Sequence, residues 1–208
     1  MPTTSTRRTQ AQRREGTISA LLDATATCLA TRGYAATSTA VVCAEAGVSQ
    51  GALFRHFPSR RALLVATAEH VATRNVAAFR DLGGHEVDTV DQVVAVLADL
   101  RLVVLSPANH TWRELLVAAR ADAGLRTALL PARESLQAQM LEVAAGLWDG
   151  RLEGDDLAAV LSIVVNMIDG LAFSALDPDP AAPPGRTVER ALRLLAEMIV
   201  RHYPQEHP

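Results

Sequence analysis

With 208 residues, 49% of them apolar and only 4% aromatic, the chain can bury a sizeable core, but that core must be aliphatic and rich in alanine. The net charge of −3 conceals an asymmetry: residues 1–61 carry eight arginines against three acids, and residues 62–208 carry twelve against twenty, so a basic head at +5 precedes an acidic body at −8. Such a head favours a polyanionic partner. The only cysteines, Cys28 and Cys43, argue against a disulfide scaffold and for a reducing, cytoplasmic setting, and no apolar run follows the first arginines, so no signal peptide is expected.

Nearly every segment has helical periodicity, and no run alternates with period two for long enough to make a strand. Residues 1–16 are polar and arginine-rich and are expected to form a flexible arm. A stripe of Ile18, Leu21, Leu22, Thr25, Cys28 and Leu29 predicts a helix over 17–31, stopped by Gly33. Ser38 is placed to cap a short helix that ends at Gly47, and Ser49 to cap another running to about His56. Pro58 and Ser59 open a long helix that ends before Gly83 and Gly84. Helices follow over 91–104, 111–121 and 123–148, with Pro131 expected to kink or restart the last of these. Residues 155–176 are long enough to cross a bilayer, but Asn166 and Asp169 lie inside them, and burial within a helical body is the better account. Residues 177–186, DPDPAAPPGR, are a loop by composition, and 187–202 form the closing helix.

The most informative stretch is AEAGVSQGALFRHFPSRR, residues 44–61. Two short helices meeting at Gly47 read as a helix-turn-helix. Val48 would plug the corner, and Ala44 is small enough to let the helices approach. Leu53 and Phe57, four apart, face inward. That leaves Gln50, Gly51, Ala52, Phe54, Arg55 and His56 outside. Gln50 can hydrogen-bond an adenine edge, and Ala52 can meet a thymine methyl. Gly51 and Ala52 keep the surface low, while Arg55, His56 and Arg60 can hold phosphates. A solvated helix corner with scattered charges is the alternative, and a helix-turn-helix pattern alone does not exclude it.

The runs LLDATATCLATRGYAATS and AEAGVSQGALFRHFPSRRALL, within 17–64, resemble the N-terminal domain of the TetR family of bacterial transcriptional regulators. They share a long first helix ending in a Gly-aromatic pair, Gly33-Tyr34, a capping Ser38, an Ala-Gly-Val-Ser turn, and a His-Phe pair before a basic residue that opens the fourth helix. The chain departs from that pattern at Phe54, where the family usually has Tyr, and at Arg60 and Arg61, where it usually has Lys. It also has Ala40 and Val41 where polar or basic residues are common, so Val41 cannot complete a capping box with Ser38. Arg7, Arg8, Arg13 and Arg14 could compensate by holding backbone or reaching the minor groove, or they could form a solvated tail. Residues 112–130 and 168–176 more weakly resemble one subgroup's C-terminal pattern.

The resemblance implies an all-α fold of about nine helices: a basic arm over 1–16, a three-helix DNA-binding domain over 17–62, and a larger ligand-binding and dimerisation domain over 63–208. The implied DNA-contacting set is Ser38, Thr39, Ser49, Gln50, Gly51, Ala52, Phe54, Arg55, His56 and Arg60. The implied partners are a double-stranded DNA operator, an apolar or amphipathic small-molecule effector, and a second copy joined through the last two helices. Candidate effector-binding residues are Trp112, Leu116, Arg120, Met140, Asn166, Asp169 and Phe173, with Trp148 a further candidate for a pocket wall. Helical spacing makes most of these equally suited to the core. For Asn166 and Asp169 three roles stay open: bonding across a dimer, capping a neighbouring helix, or facing a ligand. His110 is expected in a loop, with a pocket mouth as the alternative.

No catalytic constellation is present. There is no glycine-rich phosphate loop and no His-x-x-x-His pair, and His85, Glu86 and Asp88 read as a solvated linker. No enzyme activity, metal or cofactor is expected. The expected function is a ligand-responsive regulator, most simply a repressor released from a palindromic operator. The alternative is a helical small-molecule-binding protein or adaptor that does not act on DNA.

Overall fold

A computed structural model of the protein describes residues 10–81, 87–148, 152–174 and 184–203, without the side chains of 172–174. Among the described residues there are nine helices and no strand. They are α1 (Gln10–Ala36), α2 (Thr39–Ala46), α3 (Gln50–His56), α4 (Arg60–Arg80), α5 (Val90–Val104), α6 (Pro107–Ala121), α7 (Ala123–Leu147), α8 (Gly154–Ser174) and α9 (Arg186–His202). Among the described residues no helix is long and apolar enough to cross a membrane.

The chain divides into two compact units. One comprises residues 1–71 and 111–129, the other 72–110 and 130–208. The first therefore takes in most of α6 and the start of α7, which the sequence places in the C-terminal body. Its core gathers Leu21, Leu22, Cys28, Val42, Cys43, Leu53, Phe57 and Leu63, with Val48 packed against them. Thr111, 1% exposed, donates its hydroxyl to the Ala26 carbonyl at 3.0 Å and ties α6 to α1.

In the second unit α5 packs against α8 and α9. Its core is aliphatic, with Leu97, Leu100, Leu152, Ile168, Leu192 and Ile199 among its buried members and Phe79 and Trp148 as its large aromatics.

Several elements differ from the expected ones. Helix α1 starts at Gln10, so Arg13 and Arg14 are helical and exposed. Residues 10–16 contain no proline and extend a helix already nucleated, which costs little. Arg7 and Arg8 lie outside the described residues, as do His85, Glu86 and residues 177–183 of the expected 177–186 loop. Pro131 lies inside a continuous α7 and causes no restart. His110 is in α6, not a loop. Pro107 takes the first helical position, where its missing N–H removes no intrahelical bond, and the Ser106 hydroxyl accepts from Asn109 N at 3.2 Å. Thr89 and Gln92 form a capping box at the start of α5 that the pattern search passed over. Ala44 is exposed and does not separate the helices. The corner closes instead through the Val48 N–H, which donates to the Cys43 carbonyl at 3.0 Å.

Candidate nucleic-acid interface

The helix-turn-helix is built from local rules. Ser38 accepts from Val41 N at 3.3 Å and caps α2. Gly47, at φ 64° and ψ 31°, ends α2 in the left-handed conformation that glycine adopts without a Cβ penalty. Ser49 then caps α3 by accepting from Ala52 N at 3.2 Å. Leu53 is fully buried and Phe57 is 8% exposed, which fastens α3 down by its inner face.

The outer face follows the expected division. Gln50, Gly51, Phe54 and Arg55 are exposed, and Ala52 and His56 are half-buried. Phe54 exposes 47% of its surface, so its ring is available to a partner. Arg55 forms no ion pair among the described residues. Ser38 and Ser49 are exposed and Thr39 is half-buried at the start of α2. As caps, the two serines use an oxygen lone pair and keep a hydroxyl proton to donate.

Other basic residues of this unit are taken up internally. Arg32 pairs with Glu45 at 3.5 Å and Arg61 with Asp122 at 3.8 Å. Arg60 donates through Nε to the Thr37 carbonyl at 3.0 Å and through Nη2 to the Tyr34 carbonyl at 2.8 Å. Its guanidinium carbon lies 4.3 Å from the Tyr34 ring centroid. Two of its three nitrogens thus serve the chain's own backbone. Sequence reasoning missed this, because Tyr34 and Arg60 belong to different motifs. Glu114 was missed as well: its Oε2 accepts from Tyr34 N at 3.1 Å across 80 residues, and no local signal marks it.

Cys28 and Cys43 are buried in the core beneath this surface. Burial raises both thiol pKa values; for Cys28 the nearby Glu45 adds to the rise and Arg32 opposes it. Both therefore stay protonated near neutrality and act as small apolar side chains.

A model of bacterial regulatory proteins of the tetR family matches residues 21–67. An uncharacterised HTH-type transcriptional regulator of Mycobacterium tuberculosis (strain ATCC 25618 / H37Rv) is 33% identical over 167 residues, 80% of this chain and 86% of that protein. The chain belongs to the TetR family. The HTH-type transcriptional regulator CymR of Pseudomonas putida is 31% identical over 175 residues, 82% of this chain and 84% of CymR. A transcriptional regulator from Rhodococcus sp. Rha1 has the same fold, with a TM-score of 0.69 at 19% identity, covering 91% of this chain and 99% of that one. This TetR-family chain is therefore a DNA-binding transcriptional regulator and not an enzyme.

The expected effector residues of this TetR-family chain are divided between the two units. Trp112, Leu116 and Arg120 belong to the first unit, where Trp112 is buried, Leu116 half-buried and Arg120 exposed. Met140, Asn166 and Asp169 belong to the second. Asn166 is exposed and turns back on its own helix, donating to the Ser162 carbonyl at 2.7 Å. Asp169 accepts from Asn109 Nδ2 at 3.3 Å, and Asn109 also meets Asn75, which is 5% exposed, at 3.5 Å. Those contacts place Asp169 at the first turn of α6. Met140 packs on the second core, and the Phe173 side chain lies outside the described residues.

The second unit contains a cavity of about 40 Å³, lined among the described residues by apolar and aromatic side chains that include Phe79, Leu97, Trp148, Leu161, Val164 and Ile199. Among the pocket candidates whose side chains are described, Trp148 lines it.

Proposed function

We propose that this regulator is a homodimeric repressor that leaves a near-palindromic operator when a small apolar or amphipathic molecule enters its second unit. The observation that carries the effector half is the apolar cavity. At about 40 Å³ it holds far less than the few hundred cubic ångströms of an ordinary ligand site. An effector must therefore repack its walls, and repacking is the kind of discrete change that can bias a second conformation. Effector and operator would then weaken each other by the same factor.

Dimerisation is supported by a surface that a monomer does not need. Ala159, Ile163, Asn166 and Gly170 are exposed on α8 at spacings of four, three and four. On α9 the exposed Leu194 and Met198 follow the same rhythm. Ile163 is 57% exposed and Met198 67%. A Cβ added to Gly170 meets nothing within 4 Å, so that surface is open to close approach. Two α3 helices related by the dimer axis would enter successive major grooves, about 34 Å apart.

Selection from a random duplex pool, followed by footprinting, tests the reading. The expected result is a dyad-symmetric site with half-sites one helical turn apart. A single asymmetric half-site would remove the homodimer, and no selected sequence at low salt would favour an adaptor that does not act on DNA. Native mass spectrometry of the purified protein would then show a co-purifying hydrophobic molecule that lowers affinity for the selected site.

A further inference from the structure

The connection between α1 and α2 is held by side chains from two distant helices, and neither role follows from the helix-turn-helix motif. Gly33 has φ 74° and ψ 172°, a conformation open essentially to glycine. The chain leaves the helix there, so the Tyr34 N–H loses the partner that a continuous helix would provide. Glu114 of α6 supplies an acceptor at 3.1 Å. The Tyr34 carbonyl receives Arg60 Nη2 at 2.8 Å, and the Thr37 carbonyl receives Arg60 Nε at 3.0 Å. Thr37 is 2% exposed and donates its hydroxyl to the Gly33 carbonyl at 2.8 Å. Both polar backbone groups of Tyr34 are thus satisfied by side chains of α4 and α6. One residue after Thr37 stands Ser38, the cap that sets where α2 begins.

Two features make this more than generic packing. Glu114 is a carboxylate in the unit that carries the DNA-binding surface. A negative charge there opposes phosphate binding, so any favourable contribution must come through its hydrogen bond. Arg60, in turn, uses its planar fork on two carbonyls while stacking on a ring, a geometry that a lysine cannot reproduce.

We propose that Glu114 and Arg60 are positioning residues for DNA recognition: they lock residues 33–38, and through them the start of α2, without touching DNA. This rests on the DNA-binding function of the head and replaces the phosphate-holding role expected for Arg60 from sequence.

The test uses the full-length protein, a duplex selected from a random pool and an unrelated duplex, titrated across salt concentration. Glu114→Ala should weaken binding to the selected duplex about tenfold, the scale of one lost hydrogen bond to a charged acceptor. Binding to the unrelated duplex should hold or tighten slightly, because a negative charge is lost, and the salt slope should not change. Glu114→Gln should restore binding, since the amide oxygen still accepts. Arg60→Lys should behave like Glu114→Ala. A phosphate contact would instead survive Arg60→Lys, and Arg60→Ala would then lower the salt slope by about 0.9 and weaken both duplexes alike. Amide hydrogen exchange gives a readout independent of DNA: Glu114→Ala should speed exchange at Tyr34 while Leu53 remains protected. Tighter binding by both Glu114 variants, or an unchanged Tyr34 amide, overturns the proposal. If the wild-type chain selects no duplex, DNA recognition itself fails and the proposal fails with it.

Discussion

The two units of the chain are stabilised in different ways. In the first, each turn of the DNA-binding motif is held by a named polar contact: Ser38 and Ser49 cap, Gly47 reverses the chain, and Arg60 and Glu114 hold the connection before α2. In the second, the helices meet through an aliphatic core, and the packing leaves a cavity. The difference teaches where each unit can yield. Directional hydrogen bonds fix one geometry and fail abruptly, whereas aliphatic packing tolerates rearrangement at modest cost as long as volume and patterning are kept. A surface that must match DNA suits the first kind of structure, and the effector response proposed above would draw on the second.

The largest effect should separate the two cores. Leu53→Ala removes a fully buried side chain beneath α3 and should cost about 2–5 kcal/mol. Val164→Ala, at the edge of an existing cavity, removes two carbons and should cost about 1.5 kcal/mol. Urea unfolding followed by circular dichroism gives both values; equal costs would erase the contrast. Next comes the exposed α8–α9 surface. Met198→Glu should weaken self-association by about 2 kcal/mol, the scale of an interface hot spot, and leave the helix content unchanged. Sedimentation equilibrium reads this directly, and an unchanged association constant would move the dimer contact elsewhere. The smallest effect compares two caps. Ser49→Ala and Thr89→Ala should each cost about 1 kcal/mol in stability. Only the first should also reduce DNA affinity; equal losses of affinity would show that stability, not α3 geometry, governs binding.

What could be read from sequence follows the range of the interaction. The corner at Gly47, both serine caps and the inward pair Leu53 and Phe57 depend on neighbours within a few residues, and all stand as expected. The partners of Tyr34 lie 26 and 80 residues away, and Asp169 is 60 residues from Asn109. No periodicity encodes such pairings. Helical spacing also showed which faces of α5, α8 and α9 are apolar, but not where those faces fail to fill space. The cavity draws on residues of α4, α5, α7, α8 and α9, and its position depends on how side-chain volumes add up across all of them. For the same reason the effector candidates chosen from one helix at a time fell into separate units.

A cavity walled only by apolar side chains has a further consequence for chemical selectivity. Among the described residues its wall presents no polar surface, so it would discriminate by size and shape, at roughly 10- to 200-fold per misfitting methylene. If the cavity admits an effector as proposed, dose-response curves for homologous apolar guests should form a graded series.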